Sequence, residues 1–344
     1  MVYINMHGNP YEMGEQHGKK FKHLINKASD ELCSFPNLSL SQTKKQIDKY
    51  VSNLDTYFPE ILEETKGISS ASGLKFEEII KLHLWEELND YDQGCTTIVF
   101  SDSKDGPILG KTSDIEDWQQ PYYMLQKVTP EKGYKFIGIG KVGSSKVEIG
   151  LNENGLVIGT GSTKPTDQIR ENALERMTLV RLALQYCSNT QEAIDFFSQY
   201  YFINLGLYIV LLDKEGNAAT IEKSRSNQAV CYPNDKGILF ATNFYYIPEM
   251  AKYMDKNAFY YQNALERFIT LSRLCNSVSL EDGVTSMKKI LRDHSPVGPI
   301  CAHFVEKGLG SFFAYIVKPI DLSFLLTDGY PCNNSFKRIK FPSN

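Results

Sequence analysis

The segment GCTTIVFSDSKDGPILGKTSD, residues 94–114, decides how the chain is read. Thr96 to Phe100 is a short β-branched and aromatic run of the kind that forms strands. Asp105-Gly106 is a hairpin dipeptide, because glycine supplies a positive φ without steric cost. The segment therefore predicts a strand, a turn and an adjacent antiparallel strand. Further short segments run on to about Ser162, punctuated by PEKGYKF and by NENGLVI, where Asn154-Gly155 repeats the hairpin chemistry. Gly94-Cys95 opens this region. A thiol at the mouth of a strand is either a small buried hydrophobe or a nucleophile.

Upstream the period is helical. Leu24, Ile25, Leu32, Ile47, Val51 and Leu54 alternate with polar faces between Phe21 and Tyr57. A further helix is expected from Phe76 to about Leu88, where Ile79, Ile80, His83, Leu84 and Leu88 recur at three- and four-residue steps. The first ~90 residues thus read as mostly helical. Downstream, Ile169, Ala173, Met177, Val180, Leu184 and Cys187 form one helical stripe. Asn189 caps the next helix in SNTQEAIDFF, with Glu192 three residues on. Strands return in LYIVLLDKEGNAATIEK, NQAVCYP and GILFATNF. Helices follow from about Lys256 to Leu274 and from near Ser279, and GSFFAYIVKPIDLSFLLTDGYP closes as a hairpin-like pair. Strands and helices are segregated, so the class is α+β. Two antiparallel sheets, each covered by helices on its outer side, accommodate the count.

The chain has 344 residues, 42% of them hydrophobic, enough for a large core. A net charge of -4 and a pI near 5.9 give no electrostatic case for nucleic acid or an anionic membrane. No apolar run of about 18 residues occurs. The N-terminus MVYINMHGNPYEMG lacks the basic leader and apolar core of a signal peptide. The seven cysteines are scattered with no CxxC pair, which argues for free thiols in a reducing cytoplasm and against a zinc site. The six histidines show no metal-ligand spacing, and His83 reads as a satisfied core histidine. Gly138 to Gly143, GIGKVG, fits a dinucleotide fingerprint, but SSKVEIGL after it alternates as a strand where that site needs a helix. It is a glycine-rich turn.

Gly94-Cys95 also has a chemical reading. If a tight turn presses the Cys95 sulfur against the Gly94 carbonyl, an N→S acyl shift forms a thioester, and hydrolysis frees the Cys95 amine. Glycine adds no Cβ to the crowded intermediate. The new N-terminal cysteine would join a thiol of pKa ~8.5 to an amine of pKa about 7.7–8, so the amine can accept the thiol proton. Before cleavage that nitrogen is an amide and no base. From GCTT alone, a buried strand cysteine remains the simpler reading.

GNPYEMGEQHGKKF, GCTTIVF…GPILGKTSD, GLNENGLVIGTGS, ATNF and SPVGPICAH…DGYPC occur in that order from about Gly8 to Cys332. Together they resemble the acyl-CoA:6-aminopenicillanic-acid acyltransferase family, a branch of the N-terminal-nucleophile (Ntn) hydrolases related to bile-salt and penicillin V hydrolases. The resemblance implies a four-layer αββα sandwich spanning residues 1–344 as a single domain. Residues 1–94 would form an α chain and 95–344 a β chain after self-cleavage at Gly94-Cys95. It implies Cys95 as nucleophile, Thr97 as an aid to cleavage or thiol placement, and Asp114 holding the new ammonium. Asn243 of ATNF would donate to the oxyanion, with a backbone N–H near Ser162 as second donor. Two departures stand out: Ala302 in ICAH and Thr112 before the acid occupy positions expected to carry arginine, and Phe244 replaces a histidine found in some members.

The implied reaction is attack of the Cys95 thiolate on a non-peptidic amide, an N-acyl amine, N-acyl amino acid or β-lactam side chain. The thioester then passes to water or to an amine. Tyr122, Tyr123, Tyr245 and Tyr246 are placed to line an acyl pocket or to pack in the core. No cofactor or metal is expected, although acyl-CoA is admissible as a co-substrate. The expected partners are a small-molecule amide and the cleaved α chain, with homo-oligomerisation left open. Two alternatives stand beside this reading. One is a non-catalytic or unprocessed binding member of the same fold; the other keeps Cys95 as an internal thiolate with His294 or His303 as base.

Overall fold

The computed structural model describes residues 1–33, 38–89, 94–304 and 309–341; Tyr91, Asp92 and Gln93, just before the cleavage candidate, fall outside them. Residues 94–114 form the expected hairpin. Strand β2 (Gly94–Phe100) pairs antiparallel with β3 (Ile108–Glu116), setting Gly94 opposite Asp114 and Cys95 opposite Ser113. Gly106 supplies the positive φ of +83° in the connection. Nearly every residue of both strands is buried, so the pair lies between two layers.

The first sheet runs in the order β1 (Val2–Gly8), β4 (Tyr123–Pro130), β5 (Phe136–Lys141), β6 (Ile149–Asn152), β7 (Val157–Thr163), β10 (Gly206–Leu212), β11 (Ala218–Lys223) and β12 (Gln228–Cys231). The second runs β13 (Ile238–Thr242), β2, β3, β15 (Leu309–Lys318), β16 (Ser323–Asp328) and β17 (Lys337–Lys340), with β14 (His303–Phe304) also on β15. A two-residue parallel pair, β8 (Ala173–Leu174) with β9 (Tyr201–Phe202), stands apart.

Alternation along β2 sorts its side chains between layers. Cys95 and Val99 join Ile137, Ile139, Tyr208 and Val210 in the core between the sheets. Ile98 and Phe100 point the other way, into a core shared with α7 (Tyr261–Asn276) and α8 (Gly283–Leu291). The outer face of the first sheet is covered by α1 (Pro10–Leu32), α2 (Leu40–Tyr57), α3 (Pro59–Ser72), α4 (Phe76–Asn89), α5 (Arg176–Tyr186) and α6 (Thr190–Ser198). The result is a four-layer αββα sandwich of the α+β class. Helix, sheet, sheet and helix each bury one face of the next.

Several expectations hold in detail. Asn189 caps α6, its side chain accepting from the Glu192 N–H at 3.0 Å. No helix follows GIGKVG, although Gly138 to Lys141 belong to strand β5 and only Gly143, at φ +78°, makes the turn toward β6. Others are corrected. β1 was read as part of a helical region; it is a strand, with Ile4 and Met6 buried, and it pairs parallel with β4. α5 begins at Arg176, not near Ile169, because the Glu175 carboxylate caps it by accepting from the N–H groups of Met177 and Thr178. Ile169 is exposed and Ala173 belongs to β8. His83 is fully buried as expected but not satisfied: neither ring nitrogen has a hydrogen-bond partner among the described residues.

Candidate active site

Cys95 sits at the second position of β2, only 4% exposed. Its amide N–H donates to Asn243 Oδ1 at 2.6 Å, and its carbonyl accepts from the Arg267 guanidinium at 2.5 Å. Its sulfur accepts from Lys111 Nζ at 3.4 Å. Lys111 lies on β3, directly across from Thr97 and fully buried. The same ammonium donates to Ser113 Oγ at 2.5 Å, and the Ser113 hydroxyl donates to Glu148 Oε1 at 3.1 Å. Burial pushes the Cys95 thiol up to about 11, against the pull of the Lys111 charge. Burial works to lower Lys111, but the Cys95 sulfur and Glu148 outweigh it and leave the amine above its ordinary value. At neutral pH the intact chain therefore holds a neutral thiol beside an ammonium ion.

Asp114 is on the other side of the strand pair. A Cβ built on Gly94 would fall 2.7 Å from Asp114 Oδ2, which shows that the carboxylate lies on the face opposite the Cys95 side chain. Oδ1 accepts from Ser311 Oγ at 2.5 Å, whereas Oδ2 is buried with no partner among the described residues. The acid is thus placed beside the backbone at position 94 and away from the sulfur.

Asn243, immediately after β13, joins the two halves. Its Oδ1 receives the Cys95 amide and Arg267 at 2.8 Å, while its Nδ2 donates to the Ser162 carbonyl at 2.8 Å. Ser162 thus presents its carbonyl to Asn243, and its hydroxyl accepts from Arg176 at 2.6 Å. Thr97 Oγ1 is 3.3 Å from Tyr208 Oη and is turned to that phenol. Tyr123 packs between the sheets against Phe313. Tyr245 accepts from Thr163 and donates to the Lys223 carbonyl, and Phe244 stands in an aromatic cluster with Tyr246, Tyr261 and Phe268.

Two cations at the site were missed in the sequence, Lys111 and Arg267. Thr112 and Ala302 carry no charge, yet the thiol is not without one. Lys111, one residue before Thr112, faces the sulfur because it shares the Cys95 side of the pleat, whereas Thr112 faces away. Arg267 arrives from α7 and also binds Thr96 Oγ1 and Asn263 Oδ1. Only the packing of that helix on the sheet puts it there.

The histidines and cysteines that spacing left unconnected also converge. His294, Cys301, His303 and Cys332 bring one ligand atom each to within 4.8 Å of the others. His303 Nε2 lies 3.4 Å from Cys301 Sγ and 3.3 Å from Cys332 Sγ, and the His303 ring also meets that of His294, edge to face.

The layering and the strand-borne cysteine between the sheets define an Ntn-hydrolase fold. The sequence profile of the acyl-coenzyme A:6-aminopenicillanic acid acyl-transferase family matches residues 101–307, and the chain belongs to that family. It is 27% identical over 253 residues to an N-acylethanolamine-hydrolyzing acid amidase of Caenorhabditis elegans, covering 62% of this chain and 68% of that one. It is 24% identical over 209 residues to the acyl-coenzyme A:6-aminopenicillanic-acid-acyltransferase 40 kDa form of Emericella nidulans, covering 56% of this chain and 55% of that one. The chain therefore spans about half the length of the latter relative. The structure of penicillin V acylase from Agrobacterium tumefaciens is similar over 68% of this chain and 83% of its own, with a TM-score of 0.45 and 15% identity. No described helix is long and apolar enough to cross a membrane.

Proposed function

We propose that this chain is an amide hydrolase or acyltransferase whose nucleophile, Cys95, becomes an N-terminal residue by self-cleavage. The observation that carries the reading is the buried Asp114 Oδ2 against Gly94, which has no hydrogen-bond partner among the described residues. A buried carboxylate oxygen without a donor is costly and calls for a function. In the intact chain Gly94 lies over it. Once the Gly94-Cys95 bond breaks and Gly94 withdraws, the new Cys95 amino group, one bond away, would take that place and offer an N–H to Asp114 Oδ2.

In the cleavage step the Cys95 sulfur adds to the Gly94 carbonyl and the C–N bond breaks. The amide nitrogen keeps its own hydrogen and takes the thiol proton, leaving as a primary amine, and water then hydrolyses the thioester to a Gly94 carboxylate and the free Cys95 thiol. The mature residue then works as follows. The Cys95 amine accepts the thiol proton, and the thiolate, stabilised by Lys111 at 3.4 Å, attacks the substrate carbonyl. The leaving amine takes the proton back from the Cys95 ammonium, and water or a second amine resolves the thioester. Asn243 Oδ1 holds the Cys95 nitrogen, and the Nδ2 group, which gives one hydrogen to the Ser162 carbonyl, would offer its other hydrogen to the oxyanion. Ser162 fixes the Asn243 amide through its carbonyl.

Residues 1–94 would remain attached after cleavage. Glu86 and Glu87 of α4 pair with Arg176 at 3.0 and 2.7 Å, and Glu86 with Lys141 at 2.8 Å, all buried. The substrate class is a non-peptidic amide, in keeping with the N-acylethanolamine and 6-aminopenicillanic acid in the relatives' names. Intact-mass measurement of active protein tests the proposal. Two species, residues 1–94 and 95–344, are expected, with Cys95→Ala remaining one chain. Activity in an unbroken backbone would sink the mechanism, and an intact chain with an unreactive Cys95 would leave a binding protein.

A further inference from the structure

After α8 the chain passes His294, Cys301 and His303 before it enters β15. A second segment, following β16, carries Tyr330 and Cys332. Arg292 stitches the two together by donating to the carbonyls of Pro331 at 2.7 Å and Asn334 at 3.1 Å. His303 is held by stacking on Tyr330, ring centroids 3.9 Å apart and planes 13° from parallel. Cys301 is anchored by its own N–H, which donates to the Asp293 carbonyl at 2.9 Å. Two thiols and two imidazoles thus meet at one spot from separate parts of the sequence, with all four ligand atoms within 4.8 Å of one another.

We propose that His294, Cys301, His303 and Cys332 bind one Zn²⁺ in a tetrahedral site of two sulfurs and two nitrogens. Zn–S bonds of ~2.3 Å and Zn–N bonds of ~2.0–2.1 Å require ligand separations of roughly 3.3–3.8 Å. The two sulfur-to-His303 Nε2 distances, 3.4 and 3.3 Å, already lie at that spacing. The donor set suits zinc over harder cations, since thiolate and imidazole are soft to borderline ligands. Binding releases the two thiol protons to solvent, and two thiolates neutralise the ion's charge. Four protein ligands leave no open position, so the site is structural.

Its place gives it a consequence. Ala302, between two of the ligands, donates its N–H to Ser311 Oγ at 2.8 Å, and the Ser311 hydroxyl in turn holds Asp114 Oδ1. A metal fixing residues 301 and 303 would fix the strand edge that orients Asp114. The metal site itself does not depend on Cys95 being a nucleophile.

The test is elemental analysis of the full chain purified under reducing conditions without chelator, followed by exchange of the metal for Co²⁺. About one zinc per chain is expected, and cobalt should give thiolate charge-transfer absorption and the intense visible bands of a tetrahedral ion. Cys332→Ser should roughly halve the charge-transfer intensity and His294→Ala should weaken zinc by at least ~10-fold. Chelator should lower the melting temperature of the wild type by more than that of Cys332→Ser. His294 is exposed, so its variant keeps the fold if Cys332→Ser does not. Reduced protein that takes up neither Zn²⁺ nor Co²⁺ at micromolar concentration overturns the proposal. So does a Cys301–Cys332 disulfide in the freshly isolated chain, or undiminished zinc affinity in His294→Ala.

Discussion

Replacing Lys111 by methionine keeps the length of the side chain and removes the cation 3.4 Å from the Cys95 sulfur. At an effective dielectric of about 20, a unit charge at that distance attracts a thiolate by about 5 kcal/mol. Most of this offsets the desolvation of the ammonium, and the net value of a hydrogen bond to a charged group is roughly 1.5–3 kcal/mol. That corresponds to a rise of about 1–2 units in the thiol pKa and a ~10–100-fold lower thiolate population near neutrality. The assay is the rate of iodoacetamide alkylation at Cys95 as a function of pH, followed on the Cys95 peptide because six other free cysteines are present. Lys111→Met should shift the profile to higher pH by that amount, and Lys111→Arg should restore most of it. Ser113 still donates to Glu148 in the methionine variant, so the carboxylate is not left wholly unpaired. Superimposable profiles for wild type and Lys111→Met would refute the assignment of Lys111 as the thiol's counter-charge.

Gly94→Ala introduces a Cβ 2.7 Å from Asp114 Oδ2 and 2.9 Å from its Cβ, inside the contact limit. A loss of about 1–3 kcal/mol in unfolding free energy, measured by denaturant titration, is expected, together with slower appearance of the 95–344 fragment. Asp114→Asn keeps the shape of the side chain and can keep the Ser311 contact, so thermal stability should hold while acyl transfer falls ~10–100-fold. A matching loss of stability would mean that the carboxylate is structural. His17 and His83 are fully buried, and burial depresses them to about 4 and about 3. Both stay neutral in the fold while the unfolded chain gains protons below about pH 6.5, so their contribution is complete above that pH and is lost as pH falls. The loss reaches roughly 3 kcal/mol each near pH 4. His83→Leu should flatten the acid limb of stability measured by urea unfolding, and an unchanged limb would exclude His83 as its source.

The hairpin over residues 94–114, the cap at Asn189 and the segregation of strands from helices could be read along the chain. Each rests on contacts within a few residues: a positive φ at Gly106, a side chain reaching its own helix N-terminus, a period of two or of 3.6. Cys95, Asp114 and Asn243 were legible as candidates through motif order. Their division of labour was not, since it follows from the two faces of the pleat, which part the sulfur from the carboxylate. Lys111 could have been found by matching Cys95 across the hairpin, once the register Cys95 to Ser113 was known. Arg267 and the His294–Cys301–His303–Cys332 cluster could not be found that way. Side chains far apart in sequence meet only when helices and loops pack on a finished sheet, and no local period records where they land.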